Sequence, residues 1–179
     1  SGTRAATPSG SVREYYRWAP GGRLNITGRV VASVTLPGTR AFYGDGYWGL
    51  SGRQRNSVFG AVKDALQRCT DDVDWSVFDV NPPYGEVDML WFVHAGKDGQ
   101  TSPEDSLLRR PLWSITSKLR SDPGYPLPTA FLTNQPVAGS PNQFYKLDRF
   151  ACLPEISGLI PGRRAEIGVY CHEFGHALG

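Results

Sequence analysis

Gly168 to Gly179 reads GVYCHEFGHALG and sets His172, Glu173 and His176 in the order H-E-x-x-H. On a helix, residues four apart lie one turn above one another on the same face, so the two imidazoles converge as half of a zinc site. A zinc ion held by three protein ligands keeps one position open, lowers the pKa of a water there toward ~7 and polarises a carbonyl. Glu173, beside the first histidine, is then the candidate general base, taking a proton from that water and passing it to a leaving amine. Apolar Val169, Phe174 and Leu178 with small Gly175, Ala177 and Gly179 suit a packed helix that turns at its end. The competing explanation is a pair of ordinary histidines on a half-buried helix. Three fixed residue types in that register are rare by chance at average usage.

A catalytic zinc needs one more protein ligand. The histidines are His94, His172 and His176, so an all-histidine site within the chain needs His94, which falls in a different predicted element and reads as a core or hydrogen-bonded histidine. A carboxylate could substitute, and nothing in the sequence singles one out. Gly179 extends the motif to H-E-x-x-H-x-x-G, the opening of the longer metzincin-type pattern, whose glycine lets the chain turn to bring in a third ligand. The expectation is a metal site left incomplete after the helix, with the remaining ligand supplied by a downstream part of the same protein or by another polypeptide.

The 179 residues fit one domain of ordinary size, residues 1–179, with 1–10 a polar leader. A 40% hydrophobic and 12% aromatic content argues against disorder. A net charge near +2 is too balanced to indicate nucleic acid or an anionic membrane as the main partner. No apolar run approaches the ~20 residues that span a bilayer. Three cysteines, Cys69, Cys152 and Cys171, allow at most one internal bridge. A Cys152–Cys171 bridge would clamp the approach to the helix, while Cys69 could pair outside the chain. Asn25-Ile26-Thr27 is a glycosylation sequon, meaningful only in a eukaryotic secreted protein.

Along the chain, Ser11 can cap a short helix Val12 to Trp18, ended by Pro20-Gly21-Gly22. Leu24 to Leu36 is rich in β-branched residues with partial alternation and reads as a strand with Gly28 a possible bulge. Arg40 to Leu50 looks like an irregular aromatic loop. Val58, Val62, Ala65 and Leu66 share one face of a helix over Ser57 to Arg68. The acidic run beyond it reads as a solvated loop; Asp79, Asn81 and Asp88 around Gly85 offer a degraded calcium loop as a minor alternative. Val87 to Ala95 is the clearest buried strand. In Leu107 to Leu119, Pro111 opposes a continuous helix. Ser121 to Pro141, with five prolines, reads as a surface excursion with a strand at Thr129–Thr133. Phe144 to Leu153 is a short edge segment, and Arg163 to Gly179 is the active helix with its approach.

Several of these stretches together resemble secreted metallopeptidases of the immune inhibitor A type, relatives of gametolysin among the metzincin-like zincins. The matching residues are Ser11-Val12-Arg13-Glu14-Tyr15-Tyr16 leading to Gly22-Arg23-Leu24-Asn25-Ile26-Thr27-Gly28, then Gly85-Glu86-Val87-Asp88 running into Val93-His94-Ala95-Gly96, and finally Ile167 to Gly179. The resemblance implies an α/β (α+β) zincin-like domain in which a twisted mixed sheet carries the H-E-x-x-H helix. It implies secretion as a proenzyme, zinc-dependent endopeptidase activity on protein or peptide substrates, and often bound calcium. By the match, His172 and His176 are zinc ligands and Glu173 is the catalytic residue. The alternative from another class is a non-catalytic zincin-like binding module whose metal is structural or absent.

Overall fold

A run of apolar residues that is buried on both faces belongs in the middle of a sheet, and Arg149–Ile156 is that run: Phe150, Ala151, Cys152 and Leu153 are all within 1% of full burial. The computed structural model describes residues 10–19, 24–51, 55–82, 84–100, 111–122 and 129–179. In chain order the elements are α1 (Val12–Trp18), α2 (Arg40–Gly44), α3 (Val58–Cys69), β1 (Leu90–Lys97), β2 (Ile115–Lys118), β3 (Phe131–Val137), β4 (Ser140–Leu147), β5 (Arg149–Ile156) and α4 (Ile167–Leu178). Strand β5 is central to a mixed three-stranded sheet ordered β1-β5-β2, parallel to β1 and antiparallel to β2. Strands β3 and β4 form a separate antiparallel hairpin. The chain is therefore a mixed α/β domain with few helices.

Two helices begin where their caps dictate. Ser11 accepts from the Glu14 N–H while Glu14 Oε2 accepts from the Ser11 N–H, a complete capping box. Ser57 caps α3 through the Gly60 N–H. The inward face of α3 places Val58, Phe59, Ala61, Val62 and Leu66 in one core cluster with Tyr43, Trp75, Tyr145, Leu147, Phe150 and Cys152. Three buried carboxylates within this body are partnered. Asp64 accepts from the Tyr43 hydroxyl at 2.6 Å, Asp122 from Lys63 at 3.1 Å and Asp148 from Arg120 at 2.5 Å, which removes most of the desolvation cost an unpaired charge would carry.

Several expectations need correction. Leu24 to Leu36 forms no strand: it has no ladder partner among the described residues, and β-branched composition without a ladder does not make a strand. Arg40 to Leu50 contains helix α2, because the Thr39 side chain accepts from the Phe42 N–H and starts a turn. The strand expected at Val87 begins at Leu90, and it is half-buried because β1 lies at the sheet edge, with Val93 49% exposed. Within the proline-rich excursion, residues 123–128 lie outside the described residues, and the strand expected at Thr129–Thr133 starts at Phe131 and runs on to Val137 as β3, paired with β4. Phe144 to Leu153 is divided between β4 and the central strand β5 and is no single edge segment. All three cysteines are free, so the Cys152–Cys171 bridge is absent. The leader at 1–9, the Pro20-Gly21-Gly22 stop and residues 107–110 lie outside the described residues.

Candidate metal centre

Helix α4 follows β5 through a folded-back connection. The Ser157 N–H donates to the Arg163 carbonyl, the Ala165 N–H to the Glu155 carbonyl, and Ile156 bridges Arg164. Ser157 Oγ accepts from the Leu159 and Ile160 N–H groups and donates to Glu166 at 2.8 Å. Glu166 is thus turned toward this loop and caps no α4 amide with its side chain. The helix then packs against β2, β5 and α1.

The sequence motif arrives on this helix with its two kinds of residue divided. Glu173 is buried at 3% exposure and Cys171 lies inward at 7%, whereas His172 and His176 face outward. The two Nε2 atoms stand 3.1 Å apart, with the rings nearly perpendicular at 87°. Zinc–nitrogen bonds of about 2.0–2.1 Å in a tetrahedral site place two ligand nitrogens roughly 3.3 Å apart. The 3.1 Å separation is close to that spacing, and imidazole nitrogen is of the borderline-soft kind zinc takes. Among the described residues no group of three His, Cys, Asp or Glu gathers, so the third ligand is not identified.

His94 does not join them. It sits on β1 opposite Pro154, 7% exposed, with Nδ1 against the Ala95 carbonyl at 3.1 Å and Nε2 without a partner. Burial holds its pKa below the usual imidazole value, with Arg40 pushing the same way and Asp98 opposing. The core assignment is right, but only one of its two nitrogens is satisfied. The calcium alternative gains no support. Asp79 accepts from the Gly85 N–H at 2.7 Å and Asn81 donates to Asp88 at 2.6 Å, so these side chains close their own turn.

Sequence reasoning missed the groups that grip α4. The Tyr16 hydroxyl donates to the Cys171 carbonyl and the Thr116 hydroxyl to the Glu173 carbonyl, each at 2.6 Å. Tyr170 donates to the Pro154 carbonyl at 2.6 Å, and Arg149 Nη1 donates to the Ala177 carbonyl at 3.2 Å. Tyr16 and Trp91 also pack on the Phe174 ring, at centroid separations of 5.1 and 5.9 Å. The only advance signal was the Tyr15-Tyr16 pair in a short capped helix, and nothing pointed to Thr116. An open cleft of about 720 Å³ runs between α1 and α4, lined by Tyr15, Tyr16, Ile167, Gly168, Cys171 and His172.

A family model described as the immune inhibitor A peptidase M6, catalytic domain, matches residues 4–179. The chain belongs to that peptidase family. Immune inhibitor A of Bacillus thuringiensis subsp. alesti is 29% identical over 181 residues, covering 93% of this chain and 24% of the relative. The chain thus spans about a quarter of that relative's length. The match includes the whole of α4, so the paired histidines and the buried Glu173 lie within the family's catalytic domain.

Proposed function

We propose that residues 1–179 belong to a single zincin-like catalytic domain of a secreted zinc endopeptidase, in which His172 and His176 are two zinc ligands and Glu173 carries the proton. The observation that carries this is the 3.1 Å approach of the two Nε2 atoms on α4, within a domain matched by a peptidase family. When bound, zinc would polarise the scissile carbonyl and acidify a water molecule. The site requires a third ligand from outside the residues described. The family match favours a peptidase over a non-catalytic binding module, and with it a protein or peptide substrate. Secretion rests on the family resemblance. Among the described residues no helix is long and apolar enough to cross a membrane.

The chain's own groups divide the work. His172 and His176 present lone pairs from adjacent turns, and helix geometry fixes their separation without further cost. Glu173 accepts the proton when the water's O–H bond breaks and delivers it to the amine nitrogen as the C–N bond breaks. Its near-complete burial shelters that proton from bulk water. Burial first, and the Glu173 charge second, push the Cys152 thiol up.

In the complete protein, Glu173→Gln should keep zinc and lose peptide cleavage by about 10²–10⁴-fold in kcat. Normal cleavage by a zinc-loaded Glu173→Gln enzyme would sink the assignment.

A further inference from the structure

We propose that Tyr16 and Thr116 are positioning residues for the paired histidines and Glu173, an inference that rests on the zinc-peptidase assignment above. Their hydroxyls donate at 2.6 Å to the carbonyls of Cys171 and Glu173, the two residues that flank His172. Two residues along a helix is a rotation of about 200°, so the two donors address opposite sides of the same turn. One comes from α1 and the other from β2, elements about 100 residues apart in sequence that both pack on α4.

Each carbonyl lies within α4, where the ordinary helical bond uses one lone pair and leaves the other for an outside donor. Packing alone would hold the helix on the sheet but would oppose a roll about its axis only weakly, since Gly168 and Gly175 leave shallow relief on the α1 side. A side-chain end lies roughly 6 Å from the helix axis, so a roll of about 10° carries an imidazole nitrogen or a carboxylate by about 1 Å. Displacements of that size at a reacting centre can cost about 10²-fold. A Cβ on Gly175 would stand 3.2 Å from the Tyr16 hydroxyl, a tight contact that the glycine avoids where Tyr16 reaches the Cys171 carbonyl. Burial, then Cys171 and Tyr15, pushes the Tyr16 hydroxyl pKa up, and it stays a donor across the neutral range.

The test uses the complete protein and reads zinc affinity by chelator competition alongside peptide hydrolysis. Tyr16→Phe and Thr116→Val keep ring and volume while deleting one donor each. Each should weaken zinc binding by about 10–100-fold, the usual effect of removing a group that orients a metal ligand, with kcat falling more than KM changes. Thr116→Ser restores the donor and should retain wild-type affinity. Val62→Ala in the α3 core lowers the melting temperature without touching α4 and should leave zinc affinity unchanged. Wild-type zinc affinity in both Tyr16→Phe and Thr116→Val would overturn the positioning role, as would an equal loss in Val62→Ala. A wild-type protein that binds zinc tightly but cleaves no peptide would break the peptidase assignment and leave the positioning role to stand on the affinity data.

Discussion

His94 and the His172–His176 pair show one side chain in two opposed settings. His94 is carried by β1 with its ring directed into the body of the domain, one nitrogen bonded to the Ala95 carbonyl and the other without a partner. The pair is carried by α4 at the surface, with the two Nε2 atoms 3.1 Å apart. A strand alternates its side chains between faces, so a single histidine at an inward position is desolvated and its pKa is lowered. A helix brings every fourth residue back to one face, so two histidines become a paired donor set without any long-range contact. The period of the element decides which imidazoles come to lie side by side.

The sharpest way to break this contrast is to delete histidines one at a time in the complete protein. His172→Ala or His176→Ala should cost more zinc affinity than the roughly 10–100-fold typical of losing an orienting partner, while His94→Gln leaves the bound zinc unchanged. An equal loss in His94→Gln, read by metal content after dialysis, would place His94 at the site. A smaller effect should come from His94→Leu, which removes the unpartnered buried nitrogen along with one hydrogen bond. Thermal unfolding of this variant should be at or above the wild type, since an unsatisfied buried polar group costs about 1–3 kcal/mol. A melting temperature well below the wild type would show that the imidazole is supported in a way its surroundings do not reveal.

The smallest effect is in pH dependence. With zinc chelated, His94 has a folded-state pKa held down by burial, so the unfolded chain takes up its proton first as the pH falls. Its contribution to stability is therefore fully present above the unfolded pKa of about 6.5 and declines as the pH drops through that value toward the folded one. Melting temperatures measured from pH 8 downward, as a function of pH, should fall less steeply in His94→Leu than in the wild type. Identical slopes would remove His94 from the acid sensitivity of the fold.

What could be read in advance follows the same division between local and distant causes. The capped starts of α1 and α3 and the whole of α4 were legible, because a cap, an apolar face and the H-E-x-x-H spacing all lie within a few residues of one another. The failures are elements whose state is set by a partner far along the chain. Leu24 to Leu36 has the composition of a strand and lacks a ladder partner. The reverse holds for Phe144 to Leu153, whose second half becomes the central strand only because β1 and β2 close on either side of it. Thr116 could not be found for a like reason, since a threonine in a short strand carries no sign of the carbonyl 57 residues away that it meets.

The parallel pairing of β1 with β5 joins Leu90 to Phe150 and proceeds in register to His94 and Pro154. Chain closure over such a distance must be completed before its contacts reward it, which makes parallel pairing slow compared with forming a helical turn. Helix α4 can gain its turns in microseconds, but it has no platform until β5 is seated. In a refolding experiment the histidine pair should thus exist as a helical motif well before it becomes a docked one, and competence to capture metal should return with the slow phase that assembles the sheet. The docking of the paired histidines is timed by a strand that carries neither of them.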